Sequence, residues 1–227
     1  MSATICLPSH DISQFQPLFT TQHEPEPERP MSAQDIKHWC LARADEWYAQ
    51  GERAAARDLL KHVVMLDPED VQARIALGTL HYELGEFEQA GLTFNIAGEL
   101  DPMNPQVFMQ LGLTHQKLGQ DELAEALFNH ALALEPDNQL ALGLLSAFHM
   151  QAGRFAEARI HLAYALSQQP ENVTTLLRLG LCCFKTENFD TARNCYERVL
   201  LLSPGNAVAQ ENLDALTTFA TAAACLN

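Results

Sequence analysis

From Ser32 onward the apolar residues fall at helical spacing, and the pattern is cut at regular intervals by a glycine and then by a proline. Ser32 followed three residues later by Asp35 is a helix-start signal. The pattern predicts a helix from there to residue 50, stopped at Gly51 by a left-handed cap. A second helix is predicted over residues 54–66, ending ahead of Pro68 because proline disfavours helix in the residue before it. This helix, turn, helix unit then recurs.

Pro68, Pro102, Pro136, Pro170 and Pro204 stand 34 residues apart, which divides the chain into lines 37–70, 71–104, 105–138, 139–172 and 173–206. Within these lines whole columns align. A small residue recurs as Ala44, Gly78, Gly112, Ser146 and Gly180, and an alanine as Ala56, Ala90, Ala124, Ala158 and Ala192. A large apolar residue recurs as Leu60, Phe94, Phe128, Leu162 and Tyr196, and a polar cap as Asp70, Asn104, Asn138, Asn172 and Asn206. A fixed period of this size marks a stacked repeat array. After Pro204, residues 207–221 carry Val208, Leu213, Leu216 and Phe219 on one side and Gln210, Glu211, Asn212 and Asp214 on the other. That is the pattern of a terminal capping helix with a polar outer face.

The period and its Leu-Gly, Ala, Phe, Pro signature resemble the tetratricopeptide repeat over residues 37–206. The resemblance implies an all-α fold, an α-solenoid of five helix-turn-helix repeats with a C-terminal capping helix. Two places depart from the pattern: Arg43 stands where the leucine belongs, and Glu187 replaces the turn glycine present as Gly51, Gly85, Gly119 and Gly153.

Residues 1–31 lie outside the repeat and hold five of the eleven prolines, ending in the alternating glutamate and proline run 24–30. Such a composition reads as an extended or disordered tail. Within it Ile12, Phe15, Leu18 and Phe19 have helix-like spacing, broken by Pro17, so a short docking or dimerisation segment is the alternative. Residues 222–227 are expected to be a C-terminal tail.

The formal net charge of -15 disfavours nucleic acid and anionic lipid as partners. Neither a signal peptide nor a run of ~20 apolar residues is recognised, and the six cysteines have no framework spacing. A cytoplasmic protein with buried thiols, no membrane partner and no cofactor is therefore expected. Phosphate-loop, zinc-protease and nucleophile-elbow motifs are absent, and no enzyme is expected.

His81, His115 and His149 form a column that invites a metal reading. Equivalent places on stacked helices stand ~8 to 10 Å apart, too far for ligands that must converge on one ion, so packed histidines are expected. Cys182 and Cys183 are read as buried structural thiols in the same way.

The resemblance further implies a concave groove lined by the first helix of each repeat, at the second, fifth, ninth and twelfth places. At the fifth place stand Leu41, Ile75, Met109, Gly143 and Leu177; at the ninth Asp45, Thr79, Leu113, Ala147 and Leu181; at the twelfth Tyr48, Tyr82, Gln116, Met150 and Phe184. The lysine, asparagine and arginine with which some relatives grip a chaperone's C-terminal carboxylate are missing from these rows. A predominantly apolar groove is expected instead, taking a protein or peptide with an extended hydrophobic segment, or a second copy in a homodimer. Two functions fit. One is a cytoplasmic chaperone similar to the acidic tetratricopeptide chaperones of bacterial type III secretion, holding a secreted partner. Those have three repeats where this chain has five. The other is a scaffold that assembles a multi-protein complex.

Overall fold

The computed structural model describes residues 32–224, with side chains as far as residue 218. The readings of the proline-rich tail, of Ile12, Phe15, Leu18 and Phe19, and of residues 225–227 lie outside the described residues. Among the described residues there are eleven helices and no strand. They are α1 (Ala33–Ala49), α2 (Arg53–Leu66), α3 (Val71–Glu83), α4 (Phe87–Leu100), α5 (Pro105–Lys117) and α6 (Asp121–Leu134). There follow α7 (Gln139–Gln151), α8 (Phe155–Gln168), α9 (Val173–Lys185), α10 (Phe189–Leu202) and α11 (Ala207–Ala224). The odd-numbered helices from α1 to α9 open the five repeats and the even-numbered ones close them, in an all-α solenoid.

Local chemistry sets each boundary. Ser32 and Asp35 close a reciprocal capping box at the start of α1. The polar column caps the next four first helices and α11: Asp70 accepts from the Ala73 amide at 2.9 Å and Asn206 from the Ala209 amide at 3.0 Å. The turn inside each repeat needs one residue with positive φ, and glycine takes it without a Cβ penalty at Gly51, Gly85, Gly119 and Gly153. Glu187 adopts the same conformation at φ 60, so the fifth repeat keeps the turn despite its side chain.

Inside each repeat the two helices close on a matched pair of columns. A Cβ at Gly78 would stand 2.7 Å from the Phe94 ring, at Gly112 2.5 Å from Phe128, and at Gly180 2.6 Å from Tyr196. Glycine is thus required wherever the second helix supplies a ring. In repeats one and four the facing residue is the smaller Leu60 or Leu162, and there Ala44 and Ser146 fit, each buried. The alanine column, fully buried from Ala56 to Ala192, completes the close approach.

Successive repeats share the core. Ile75, Phe94 and Ala97 of the second repeat meet Val107 and Leu111 of the third. At the C-terminal end Ala209 and Leu216 of α11 cover Leu179, Tyr196 and Val199, while Val208 faces out. This helix runs past Thr221 to Ala224, longer than its sequence pattern predicts.

Replacing Gly112 with alanine is expected to cost about 1 to 3 kcal/mol, because the new methyl overlaps the Phe128 ring. Adding Phe128→Leu, which recreates the pairing of repeat one, should recover part of that loss. Urea unfolding of the single and double variants measures both.

Candidate functional site: the face of the first helices

The first helices of neighbouring repeats touch one another directly. The Tyr48 hydroxyl of α1 donates to Glu83 of α3 at 2.8 Å, and the Gln116 amide of α5 donates to Gln151 of α7 at 2.7 Å. Each bond joins the twelfth place of one repeat to the thirteenth of the next. Close spacing of the first helices makes them the inner surface of the curved stack.

On that surface the predicted rows separate. Ile75 and Met109 are only 5% exposed and belong to the interior: Ile75 packs with Val107 and Leu111, Met109 with Ala131 and Ala141. The expectation of Met109 as a groove contact is corrected accordingly. Leu41 and Leu177 are half-buried against their local cores, and Leu177 lies in the cluster that α11 covers. The reason is a modest angular offset: at 100° per residue the fifth place lies about 40° from the ninth on the same face, on the side away from the second, thirteenth and sixth places.

Two members of the twelfth row fold back on their own repeats. Tyr82 meets Phe87 edge-on at 5.4 Å, Phe184 meets Phe189 at 5.8 Å, and Met150 packs against the same C-terminal core as Phe155. Tyr48 stays exposed, with Arg53 over its ring at 5.8 Å. Gln116 is held by Gln151.

The ninth row is partly exposed, although Leu113 also packs against the core of Phe128, Leu145 and Phe148. Asp45 is exposed, and Thr79 is half-buried with its hydroxyl donating to the Ile75 carbonyl at 2.9 Å. Leu113, Ala147 and Leu181 follow, half-buried on three consecutive first helices. Beside them lie residues that the predicted set omits: Leu140 at the second place, 61% exposed, and Gln110, Leu144 and Arg178 at the sixth. The second place belongs to the family pattern, so Leu140 was within reach of the sequence. Arg178 reaches across to α7, where its guanidinium lies 3.9 Å from where a Cβ of Gly143 would be.

The histidine column has a structural task. His81 donates through Nδ1 to the Glu86 carboxylate, and His115 through Nδ1 to Gln120 Oε1 at 2.6 Å, tying the end of a first helix to the start of its partner. That hydrogen bond also holds the Glu86 carboxyl below its ordinary range. In repeat four the acceptor's place is taken by Arg154, and the buried His149 Nδ1 has no hydrogen-bond partner. Arg154 reaches back instead to Glu125 of α6 at 2.8 Å. Between repeats one and two the same two places are joined by Arg57 and Glu86, with the charges exchanged.

His149 stacks on His161 at 5.5 Å, with Glu157 3.6 Å and Glu125 3.9 Å from its ring nitrogens. Among the described residues no group of three or more His, Cys, Asp and Glu is placed to hold a metal ion. Cys40, Cys182, Cys183 and Cys195 are buried free thiols, and burial pushes Cys40, Cys182 and Cys195 up to about 11. No described helix is long and apolar enough to cross a membrane.

The fold and its inner face define a helical-repeat solenoid, the class of protein that presents a continuous surface for binding. Tetratricopeptide repeat profiles match residues 48–112 and 152–216, and a second such profile matches residues 109–173. The chain belongs to the tetratricopeptide repeat family, whose members are typically binding proteins. Among curated protein sequences none matches.

Solved structures share the fold at low identity. MamA from Desulfovibrio magneticus RS-1 is 18% identical with a TM-score of 0.66, over 76% of this chain and 98% of that one. YrrB, described as a TPR protein with an unusual peptide-binding site, is 20% identical with a TM-score of 0.60, over 76% and 89%. Pseudomonas aeruginosa PilF is 16% identical with a TM-score of 0.65, over 81% and 90%.

Acid should loosen the seam between repeats three and four. Desolvation first, then the Arg154 charge, holds the His149 imidazole below its ordinary value, and desolvation does the same to His161. A depressed histidine value means that the unfolded chain takes up protons first. Stability is therefore full above about pH 6.5 and falls as pH drops from there toward the folded-state value. Replacing His149 with phenylalanine, a neutral ring as at Trp47, should reduce the loss seen by urea unfolding between about pH 7.5 and about pH 5.5. An unchanged loss would exclude His149 as the cause.

Proposed function

We propose that this chain is a non-enzymatic adaptor that binds an extended segment of a partner protein along its first helices. The observation that carries the proposal is the half-exposed ninth row, in which Leu113, Ala147 and Leu181 align on consecutive first helices beside the exposed Leu140. An extended peptide running across such a row places its alternate side chains against successive repeats. The remaining groove residues of the predicted set, Asp45, Thr79, Tyr48 and Gln116 among them, would line its path. The peptide-binding site ascribed to YrrB, a structure of the same fold, supports this use of the surface.

Exposed apolar residues also occupy the outer side of the second helices. Leu92, Ile96 and Leu100 recur four residues apart on α4, with Leu92 66% exposed. Two separate apolar faces favour an adaptor that joins partners over a chaperone that shields one. The chaperone of a secreted protein in the cytoplasm is the second reading, and the apolar ninth row is what favours it. Loss of the protein should leave the partner soluble but unassembled under the adaptor reading, and insoluble under the chaperone reading.

Replacing Leu113 and Leu181 with glutamate should weaken capture of the native partner at least about tenfold, with helicity by circular dichroism unchanged. A photoreactive residue at Leu113 identifies the partner by crosslinking. Undiminished capture by the folded double variant would remove this face from consideration.

A further inference from the structure

The inner face differs in charge from the rest of the molecule. The chain holds 29 acidic residues against 14 basic ones. Yet at the second, fifth, sixth, ninth, twelfth and thirteenth places of repeats three to five there is no carboxylate. The carboxylates of these repeats lie on the second helices, as do Glu125, Glu157 and Asp190, or in the turns, as do Glu135 and Glu171. The first two repeats do carry acid on the inner face, at Asp45 and Glu83, and Glu83 is engaged by Tyr48 and Arg53.

Several cations elsewhere are engaged by the chain itself, while Arg159, Arg193 and Arg198 of the second helices have no hydrogen bond or ion pair among the described residues. Lys37, Arg53, Arg57 and Arg154 each hold a carboxylate of this chain. Lys117, Arg178 and Lys185 have no hydrogen bond or ion pair among the described residues. Lys117 and Lys185 end their helices, where a positive charge is favoured by the helix dipole. Arg178 has no such reason. It sits in mid-helix, half-buried, laid across to Gly143 of α7, on an inner face that offers it no carboxylate in repeats three to five. A guanidinium in that position is matched by a carboxylate, which it can take with two parallel hydrogen bonds.

We propose that the inner face of repeats three to five selects a partner segment in which acidic and apolar side chains alternate. This inference rests on the proposed binding of an extended segment and adds its chemistry. The apolar side chains would meet Leu113, Ala147 and Leu181, and a carboxylate between them would pair with Arg178. Lys117 and Lys185, at the same end of their helices, would favour further acid along that edge. The exposed Asp45 disfavours acid over the first repeat, so the acidic part of the segment lies over repeats three to five, toward the C-terminal end of the stack.

The test uses the full chain and arrays of peptides about 12 residues long, with Leu, Phe or Ala at alternate positions and Asp or Glu, Lys, or Asn and Gln at the others. Fluorescein-labelled versions of the best binders are then followed by anisotropy. Acidic peptides should bind at least about tenfold more tightly than their lysine counterparts, and the preference should shrink with added salt. Arg178→Glu should abolish or reverse it, and Arg178→Gln should reduce it, with helicity unchanged in both. Binding of neutral peptides that Leu113→Glu removes, without any preference for acid, overturns this inference and leaves the proposed function standing. No binding by any peptide set overturns both. A wild-type dimer that Arg178→Glu dissociates, again without peptide preference, overturns it in favour of a second copy as the occupant.

Discussion

The fit of a small residue under a large one, place eight of the first helix against place twenty-four of the second, holds each repeat together and sets the spacing on which the stack depends. Gly78, Gly112 and Gly180 face rings so closely that a single methyl group would collide. Where the ring gives way to leucine, alanine or serine returns. The contact brings two helix backbones together, and the alanine column carries the closure along the repeat. Everything outside this pair, including the direction in which the inner face looks, follows from how the two helices are crossed there.

Between repeats the apolar core is continuous, and polar contacts select the register rather than supply much stability. The Arg57–Glu86 and Glu125–Arg154 pairs are partly exposed, and such pairs contribute about 0 to 1 kcal/mol. Their exchanged charges matter more for which surfaces can meet. The exchange has a local consequence: in repeat four the arginine displaces the acceptor that serves His81 and His115 elsewhere, and His149 is left with an unsatisfied nitrogen against its stacked neighbour. Protonation of His149 is therefore disfavoured in the folded chain beside the seam between repeats three and four.

The inner and outer faces follow from the same geometry. Carboxylates collect on the second helices, where water solvates them and cations of this chain answer several of them. The first helices of the last three repeats are left with amides, aliphatic side chains and three cations. A surface so divided suits a ligand whose own apolar and charged groups alternate, because an extended chain presents them to opposite sides at a fixed spacing.

The sequence by itself determined the repeat, its boundaries and its family resemblance, because caps, turns and column periodicity are local properties read within a few residues. Asp70, Asn138 and the turn glycines act where their spacing places them, and Glu187 shows that the turn persists even where its usual residue does not. The inner face was legible only in part. Leu113, Ala147 and Leu181 are half-exposed, yet Met109 on the same helix as Leu113, and Ile75 of α3, are buried, since which neighbour covers a side chain depends on how the next repeat is rotated against it. That rotation also decides that Arg178 lies over Gly143 and that His149 has lost its acceptor. Such pairings join residues tens of positions apart, and the packing of helix on helix, not the order of residues along the chain, brings them together.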